Sequence, residues 1–151
     1  RIECIGALDE LNSFVGFAKV AIADESIKTF LEKIQNNLFN IGGSLAMPGV
    51  DIKTIDEACI AALEKQVDAW NSELPPLKEF VLPGGSEASA RLHLVRTSTR
   101  NAERKLVSFH KNESLPDVWL QYINRLSDVF FVLARKLQRA EGIDEKQWTH
   151  K

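Results

Sequence analysis

Apolar residues recur at steps of three and four along most of this 151-residue chain. This spacing places them on one face of an α-helix. No segment alternates apolar and polar residues as a half-buried strand does. The pattern therefore predicts an all-α protein. Its clearest stripe consists of Ile27, Phe30, Leu31, Ile34, Leu38, Ile41 and Leu45.

The apolar stripes, together with the residues that typically begin and end helices, predict five helical segments. The spacing predicts helices over about residues 9–23, 26–47, 54–71, 86–110 and 115–141. Ser26, Ser86 and Ser114 are candidate caps, Thr54 and Glu57 have capping-box spacing, and residues 75–86 form an extended loop. Because only residues 111–114 join the last two helices, we expect them to pack antiparallel. The prediction is one domain over residues 1–151, an up-and-down five-helix bundle with ferritin-like left-handed packing.

A second prediction concerns the paired glycines Gly42 and Gly43, which lie inside the second predicted helix. Each costs about 1 kcal/mol relative to alanine in a helix interior. Close contact with another helix is the simplest explanation for keeping them.

Composition excludes several classes of protein. With 44% hydrophobic and 26% charged residues the chain can build a core. A net charge of -2 gives no reason to expect nucleic-acid binding. The longest apolar runs, residues 58–63 and 129–134, are far shorter than the roughly 20 residues that cross a bilayer. We therefore expect no membrane span.

Cysteine and histidine usage narrows the chemistry further. Cys4 and Cys59 form no paired motif, which favours a reducing compartment, and we expect the cytoplasm. None of the three histidines lies in an HExxH motif or follows a glutamate by three residues, so a histidine-based metal site is not expected. Neither a Walker-A motif nor GxGxxG is present.

Arginines cluster on the predicted fourth helix. Arg96, Arg100 and Arg104 follow one another at steps of four, so their guanidinium groups lie about one turn apart on one face. Glu103 lies on the same face. Such a face can bind phosphate through bidentate hydrogen bonds. It can equally be a solvated charged stripe, and spacing alone leaves both interpretations open.

Polar residues in the apolar stripe of the fifth helix need partners. Asn124 and Ser127 lie in or beside that stripe, and asparagine is unfavourable in a helix interior. Buried polar groups are almost always hydrogen-bonded. The partner is either another helix or a bound ligand.

The loop before the fourth helix and the start of the first each allow two interpretations. Residues 80–86, FVLPGGS, form either a plain turn with Phe80 in the core or a helix start that binds an anion. Asp9, in the first turn predicted for helix one, is either a capping carboxylate or the partner of an arginine.

Four segments taken together carry a family resemblance. Residues 7–12 (ALDELN), 80–85 (FVLPGG), 96–104 (RTSTRNAER) and 122–128 (YINRLSD) resemble the PduO-type ATP:cob(I)alamin adenosyltransferases, in order and with the right gaps. The resemblance implies a homotrimer of five-helix bundles with active sites between subunits. It also implies transfer of the 5'-deoxyadenosyl group of ATP to the cobalt of cob(I)alamin, with release of triphosphate and assistance from Mg²⁺.

The resemblance implies roles for the polar candidates. Arg96 and Asp9 correspond to an intersubunit ion pair that shapes the ATP site, and with Arg100 they form the implied catalytic set. Arg96, Arg100, Glu103 and Asn124 are the implied ATP-binding residues. Arg100 binds the phosphates, and Glu103 supports the nucleotide and the Mg²⁺.

The resemblance also implies how cobalamin is held. Phe80 corresponds to the aromatic residue that packs against the lower face of the corrin and prevents a base from binding cobalt there. Arg125 and Asp128 are supporting residues. Cob(I)alamin is itself a strong nucleophile, which agrees with the lack of a catalytic Ser, Cys or His constellation.

Two departures from the family pattern keep other functions open. Family members carry a glycine- and threonine-rich segment with a lysine ahead of the position of Arg1, and position 101 is Asn where Arg is more usual. We expect that the leading segment was cut away or not observed. The alternatives are a noncatalytic corrinoid carrier that delivers adenosylcobalamin to a mutase, or a helical module whose arginine face binds an acidic protein. As an enzyme, the protein is expected to make transient contact with a reductase and a mutase.

Overall fold

The structure is a computed structural model that describes residues 1–150. It contains five helices: α1 (Ile2–Lys19), α2 (Glu25–Ala46), α3 (Glu57–Asn71), α4 (Glu87–His110) and α5 (Asp117–Ala140). Within residues 1–150 the only strand-like pairing is one isolated antiparallel bridge between Val81 and Gln147. The predicted all-α five-helix fold is confirmed.

The helices meet along the predicted apolar stripes. Helix α1 packs against α2 and α4, and α5 packs against α4 and α3. Six of the seven stripe residues predicted for α2 are buried. Phe30 is half-buried and packs edge-to-face with Trp70, with ring centroids 5.4 Å apart. Each fully buried Leu, Ile or Phe contributes about 1.5–3 kcal/mol through removal from water. Other fully buried side chains include Leu11, Leu92, Leu106, Ile123, Leu126 and Phe130.

Helix α1 differs from its predicted bounds at both ends. It begins at Ile2, not near Asp9, and ends at Lys19, before residue 23. The stripe extends one turn further back than predicted, because Cys4 is buried and its thiol donates to the carbonyl of Lys105, 3.3 Å away. Asp9 therefore lies in mid-helix, and its interpretation as a cap is wrong.

Two helices are capped by aspartates that lie two positions from the predicted caps. Asp24, not Ser26, caps α2 by accepting from the backbone amides of the second and third helical residues at 2.9 and 3.2 Å. Asp56, not Thr54, caps α3. The Thr54 hydroxyl instead accepts from the indole of Trp119 at 3.2 Å. A carboxylate at a helix N-terminus also gains from the helix dipole, which explains the preference.

Two further local predictions fail, while the cap of α4 is confirmed. Helix α5 begins after Pro116, with no side-chain cap from Ser114. Within residues 1–150, no other helix makes the close contact expected at the paired glycines. A Cβ on Gly42 would meet no atom within 4 Å, and one on Gly43 would meet Ile52 of the α2–α3 connection at 3.2 Å. Ser86 caps α4 as predicted.

The connection from α3 to α4 positions the site. Residues 72–86 contain no helix, and residues 141–150, here called the tail, run antiparallel beside them. The amide of Leu82 donates to the carbonyl of Lys146 at 2.7 Å, and the amide of Trp148 donates to the carbonyl of Phe80 at 2.8 Å. No helix within residues 1–150 is both long and apolar enough to cross a membrane.

Candidate active site

One carboxylate joins the polar residues of α4 and α5. The two oxygens of Glu103 accept from Arg100 Nη1 at 2.8 Å and from Asn124 Nδ2 at 2.7 Å. The Glu103 side chain is 18% exposed, whereas that of Arg100 is 47% exposed. The α4–α5 contact thus brings together three residues from two of the predicted motifs, and leaves the arginine open to a ligand.

Asn124 is held by protein groups on both sides. Its Oδ1 accepts from Arg125 Nη1 at 2.9 Å, and Arg125 Nε lies 3.4 Å from a carboxylate oxygen of Glu64 on α3. The Ser127 hydroxyl donates to the carbonyl of Asn124 at 3.0 Å. The partner expected for these polar residues is therefore the protein itself. The network fixes Asn124 against Glu103 before any ligand binds.

Arg96 lies one turn before Arg100 and is half-buried. Its Nε donates to Nδ1 of His93 at 3.3 Å. Burial and the positive charge of Arg100 lower the pKa of Arg96. Burial, with a smaller contribution from Arg96, lowers the pKa of His93 to about 4, so the imidazole is neutral at pH 7 and can accept this hydrogen bond. An anion between the two guanidinium groups would relieve their repulsion.

Asp9 does not reach these arginines within one chain. It is exposed on α1, and within residues 1–150 its side chain makes no ion pair or hydrogen bond. Arg96 also has no carboxylate partner in that part of the chain. The predicted pairing of Asp9 with Arg96 between subunits stays a prediction.

Phe80 lines an open cavity of about 480 Å³ next to the arginine face. The side chain is 76% exposed, so its interpretation as a core residue is wrong. Arg96 lines the same cavity from α4 and Phe131 lines it from α5. The cavity therefore joins the proposed corrin contact to the first arginine of the basic face. It is lined by Leu77, Lys78, Glu79, Phe80, Val81, His93, Arg96 and Phe131.

Three aromatic neighbours of Phe80 were missed by sequence analysis. The ring of Trp148 stacks on Phe80, with centroids 6.3 Å apart. His93 and Phe131 both line the cavity and pack edge-to-face, with ring centroids 6.4 Å apart. His93 could have been predicted from the sequence, because residues three apart on a helix lie on the same face and His93 precedes Arg96 by three. Nothing local marks Trp148, because its contact spans almost half the chain.

The carboxylates offer little to a metal on their own. Within residues 1–150 no group of three or more His, Cys, Asp or Glu side chains could hold an ion. Mg²⁺ usually binds one or two carboxylates, several waters and the phosphates of its substrate. Glu103 fits that single-carboxylate role, although both its oxygens are hydrogen-bonded here.

Comparison with known proteins agrees with this arrangement. The sequence profile of the family described as cobalamin adenosyltransferase matches residues 1–137. The chain belongs to that family. Among relatives of the adenosyltransferase family, the corrinoid adenosyltransferase of Bacillus subtilis is 41% identical over 154 residues, which is 98% of this chain and 79% of that protein. The cobalamin adenosyltransferase of Cupriavidus metallidurans is 42% identical over 149 residues, which cover 98% of this chain and 80% of that protein.

Solved structures extend the adenosyltransferase likeness to three dimensions. A variant of the PduO-type ATP:corrinoid adenosyltransferase from Lactobacillus reuteri, complexed with cobalamin and ATP, superposes with a TM-score of 0.91. It is 36% identical, and the match covers 98% of this chain and 85% of that chain. A second variant, complexed with ATP, gives a TM-score of 0.90.

Proposed function

We propose that this chain catalyses ATP-dependent adenosylation of cobalamin. The observation that carries the proposal is the continuity of the site, since one cavity joins Phe80 to Arg96 and the same helix face leads to Arg100 and Glu103. Family membership supports the same activity. In this reaction cob(I)alamin attacks C5' of ATP with its cobalt electron pair. The C5'–O bond breaks, triphosphate leaves with that bond's electrons, and the cobalt becomes formally Co(III).

Arg100 is the residue proposed to bind the leaving triphosphate. It is half-exposed and already oriented by Glu103 at 2.8 Å, so little rotamer freedom remains to be lost on binding. Arg96 adds a second positive charge one turn away. Preorganised charges of this kind stabilise negative charge that develops as the leaving group departs.

Glu103 and Asn124 are proposed to hold the nucleotide side of the site. Their mutual hydrogen bond of 2.7 Å joins α4 to α5 beneath Arg100. Glu103 is also the carboxylate proposed to share Mg²⁺ with the triphosphate. Bound there, Mg²⁺ would neutralise part of the charge on the leaving group.

Phe80 is proposed to cover the lower face of the corrin. An exposed aromatic ring at the rim of an apolar cavity can exclude both water and a nitrogenous base from cobalt. Removing the lower axial donor makes cob(II)alamin easier to reduce, because the acceptor orbital of the four-coordinate cobalt lies lower in energy.

The remaining parts of the proposal concern assembly and surroundings. We propose a homotrimer in which Asp9 of one subunit pairs with Arg96 of the next, since neither residue has a carboxylate–guanidinium partner within residues 1–150 of its own chain. A cytoplasmic reductase would supply cob(I)alamin, and an adenosylcobalamin-dependent mutase would consume the product.

An anaerobic assay tests the proposed function. The full-length protein that carries this chain is mixed with MgATP and chemically reduced cobalamin, and the loss of cob(I)alamin absorbance is followed. We expect adenosylcobalamin to form, and Arg100→Ala to lower kcat/KM by roughly 10²–10³-fold, as loss of a charge-stabilising donor does. Arg139→Ala, an exposed arginine on α5, is the matched control and should leave the rate unchanged.

Two results would contradict the proposal. If Arg100→Ala reacts as fast as the Arg139→Ala control, a role of Arg100 in phosphate binding is excluded. Tight cobalamin binding with no product and no ATP affinity would indicate the carrier function instead.

A further inference from the structure

Arg135 is a buried arginine on α5 that lies outside the cavity lining. Its side chain is 5% exposed and forms a two-point ion pair with Glu145 of the tail, itself 14% exposed. Nε lies 2.6 Å from one carboxylate oxygen and Nη2 lies 3.1 Å from the other. Nη2 also donates to the carbonyl of Pro75 at 2.8 Å. One guanidinium therefore holds both the tail and the start of the loop that carries Phe80.

Gln138, almost one turn further along α5, holds the other end of that loop. Its Nε2 donates to the carbonyl of Asp144 at 2.9 Å, and its Oε1 accepts from the Ser89 hydroxyl at 3.0 Å. The side chain lies so close to Gly85 that a Cβ there would be 2.5 Å from Nε2. The end of the loop, the first turn of α4 and the tail thus meet at one buried amide.

Between these two anchors the loop and the tail are paired directly. The amides of Leu82 and Trp148 donate across the pair at 2.7 and 2.8 Å, and the amide of Glu79 donates to Gln147 Oε1 at 3.1 Å. Phe80 is 76% exposed and gains little from packing of its own. Its position is consequently set by the backbone that the tail supports.

We propose that Arg135 is a positioning residue for Phe80, acting through Glu145 and the tail. This inference rests on the proposed role of Phe80 at the corrin. Loss of the guanidinium would leave a largely buried carboxylate unpaired and free the carbonyl of Pro75, so the loop and the tail would both lose one of their two anchors. The nucleotide side of the site, at Arg100 and Glu103, shares none of these hydrogen bonds.

The test uses Arg135→Gln and Glu145→Gln, with Arg139→Gln as the control for charge on the same helix. Amide hydrogen exchange at Leu82 and Trp148 should be about tenfold faster or more in both test variants, because local opening becomes easier. The fraction of bound cob(II)alamin that is four-coordinate, measured by its electron paramagnetic resonance spectrum, should fall severalfold. KM for ATP should stay within about twofold of wild type, since the lost contacts lie outside the nucleotide side.

The controls separate this inference from the function on which it rests. Unchanged exchange in Arg135→Gln and Glu145→Gln would overturn the anchor itself, whatever the activity. Suppose that Phe80→Ala lowers the four-coordinate fraction as proposed. If Arg135→Gln and Glu145→Gln then show faster exchange but a normal four-coordinate fraction, the positioning role alone is overturned. If Phe80→Ala leaves the fraction unchanged, the proposed role of Phe80 fails and the positioning role fails with it. Glu145 lies in the tail, outside the five helices, so we expect Glu145→Gln to fold even if Arg135→Gln does not. The test can then be made with Glu145→Gln alone.

Discussion

At the scale of single residues, the site is divided between groups that are fixed and groups that are left open. Glu103 and Asn124 are tied to each other and to neighbouring side chains. Phe80 is exposed, and Arg100 is half-exposed although it pairs with Glu103. Fixed groups lose little freedom on binding, and open groups can be reached by a ligand. This division explains why the exposed pair is the most informative target for mutation.

Phe80→Ala should separate the two substrates. We expect the four-coordinate fraction of bound cob(II)alamin to fall sharply, while ATP affinity changes less than about twofold, because Phe80 lies on the loop and has no contact with Arg100 or Glu103. Electron paramagnetic resonance and nucleotide titration measure the two effects. Equal losses in both would argue against a role confined to the corrin face.

His93 should make folding stability depend on pH. Its pKa falls from 6.5 to about 4 on folding, so between these values the unfolded chain binds a proton that the folded chain does not. This contribution to stability is complete above pH 6.5 and is lost as the pH falls through 4. The slope is at most about 1.4 kcal/mol per pH unit for one group. Denaturant unfolding between pH 7 and pH 4 measures this. The free energy of unfolding should fall less steeply with pH in His93→Gln than in wild type, and equal slopes in the two proteins would refute the linkage.

At the scale of helices and loops, Gly85 is the position where a side chain is least tolerated. Its φ of 111° is strained for other residues, and an added Cβ would lie 2.6 Å from Cδ of Gln138. Gln138 cannot easily move, because both ends of its amide are hydrogen-bonded. Gly84 also has a positive φ, of 122°, but a Cβ there would meet no atom within 4 Å. A substitution at Gly84 therefore measures the cost of the backbone conformation without a steric clash.

We therefore expect Gly85→Ala to destabilise the protein by about 2–4 kcal/mol and Gly84→Ala by about 1–2 kcal/mol. Urea unfolding monitored by circular dichroism measures both. Equal costs for the two variants would mean that Gln138 yields without penalty.

Helix existence was predictable from the sequence, while helix ends were less so. The apolar stripes of α2, α4 and α5 are strong enough to place each helix, and six of the seven residues predicted for the α2 stripe are buried. The ends depend on competition between neighbouring capping residues, such as Asp24 against Ser26, which differ little in intrinsic preference. Tertiary contacts then decide, as Cys4 does at the start of α1.

At the scale of the whole molecule, the site was only partly predictable. Spacing and polarity singled out Arg96, Arg100, Glu103 and Asn124, and the resemblance implied their roles. The structure brings the last three into one hydrogen-bonded group. Arg135 carried no signal, because a charged residue in a helix gives no indication that it is buried. Its partner lies ten positions away in a segment without periodicity.

Asp9→Asn should weaken association between subunits and leave the bundle intact. Asp9 is exposed and has no partner within residues 1–150, so the free energy of unfolding of the isolated bundle should change by less than about 0.5 kcal/mol. Sedimentation velocity should show a larger dissociated fraction, and KM for ATP should rise. Glu10→Gln, the adjacent exposed carboxylate, serves as the control. A wild-type protein that is monomeric at all concentrations would exclude the intersubunit pair.

The stacking of Trp148 on Phe80 also has an optical consequence. An indole that is 47% exposed and rests on the ring expected to touch the corrin is a natural fluorophore for that surface. Corrins absorb where tryptophan emits, so a bound corrin would quench this indole more strongly than Trp70 and Trp119, which are buried in the core. The molecule thus carries its own indicator of whether the loop is occupied.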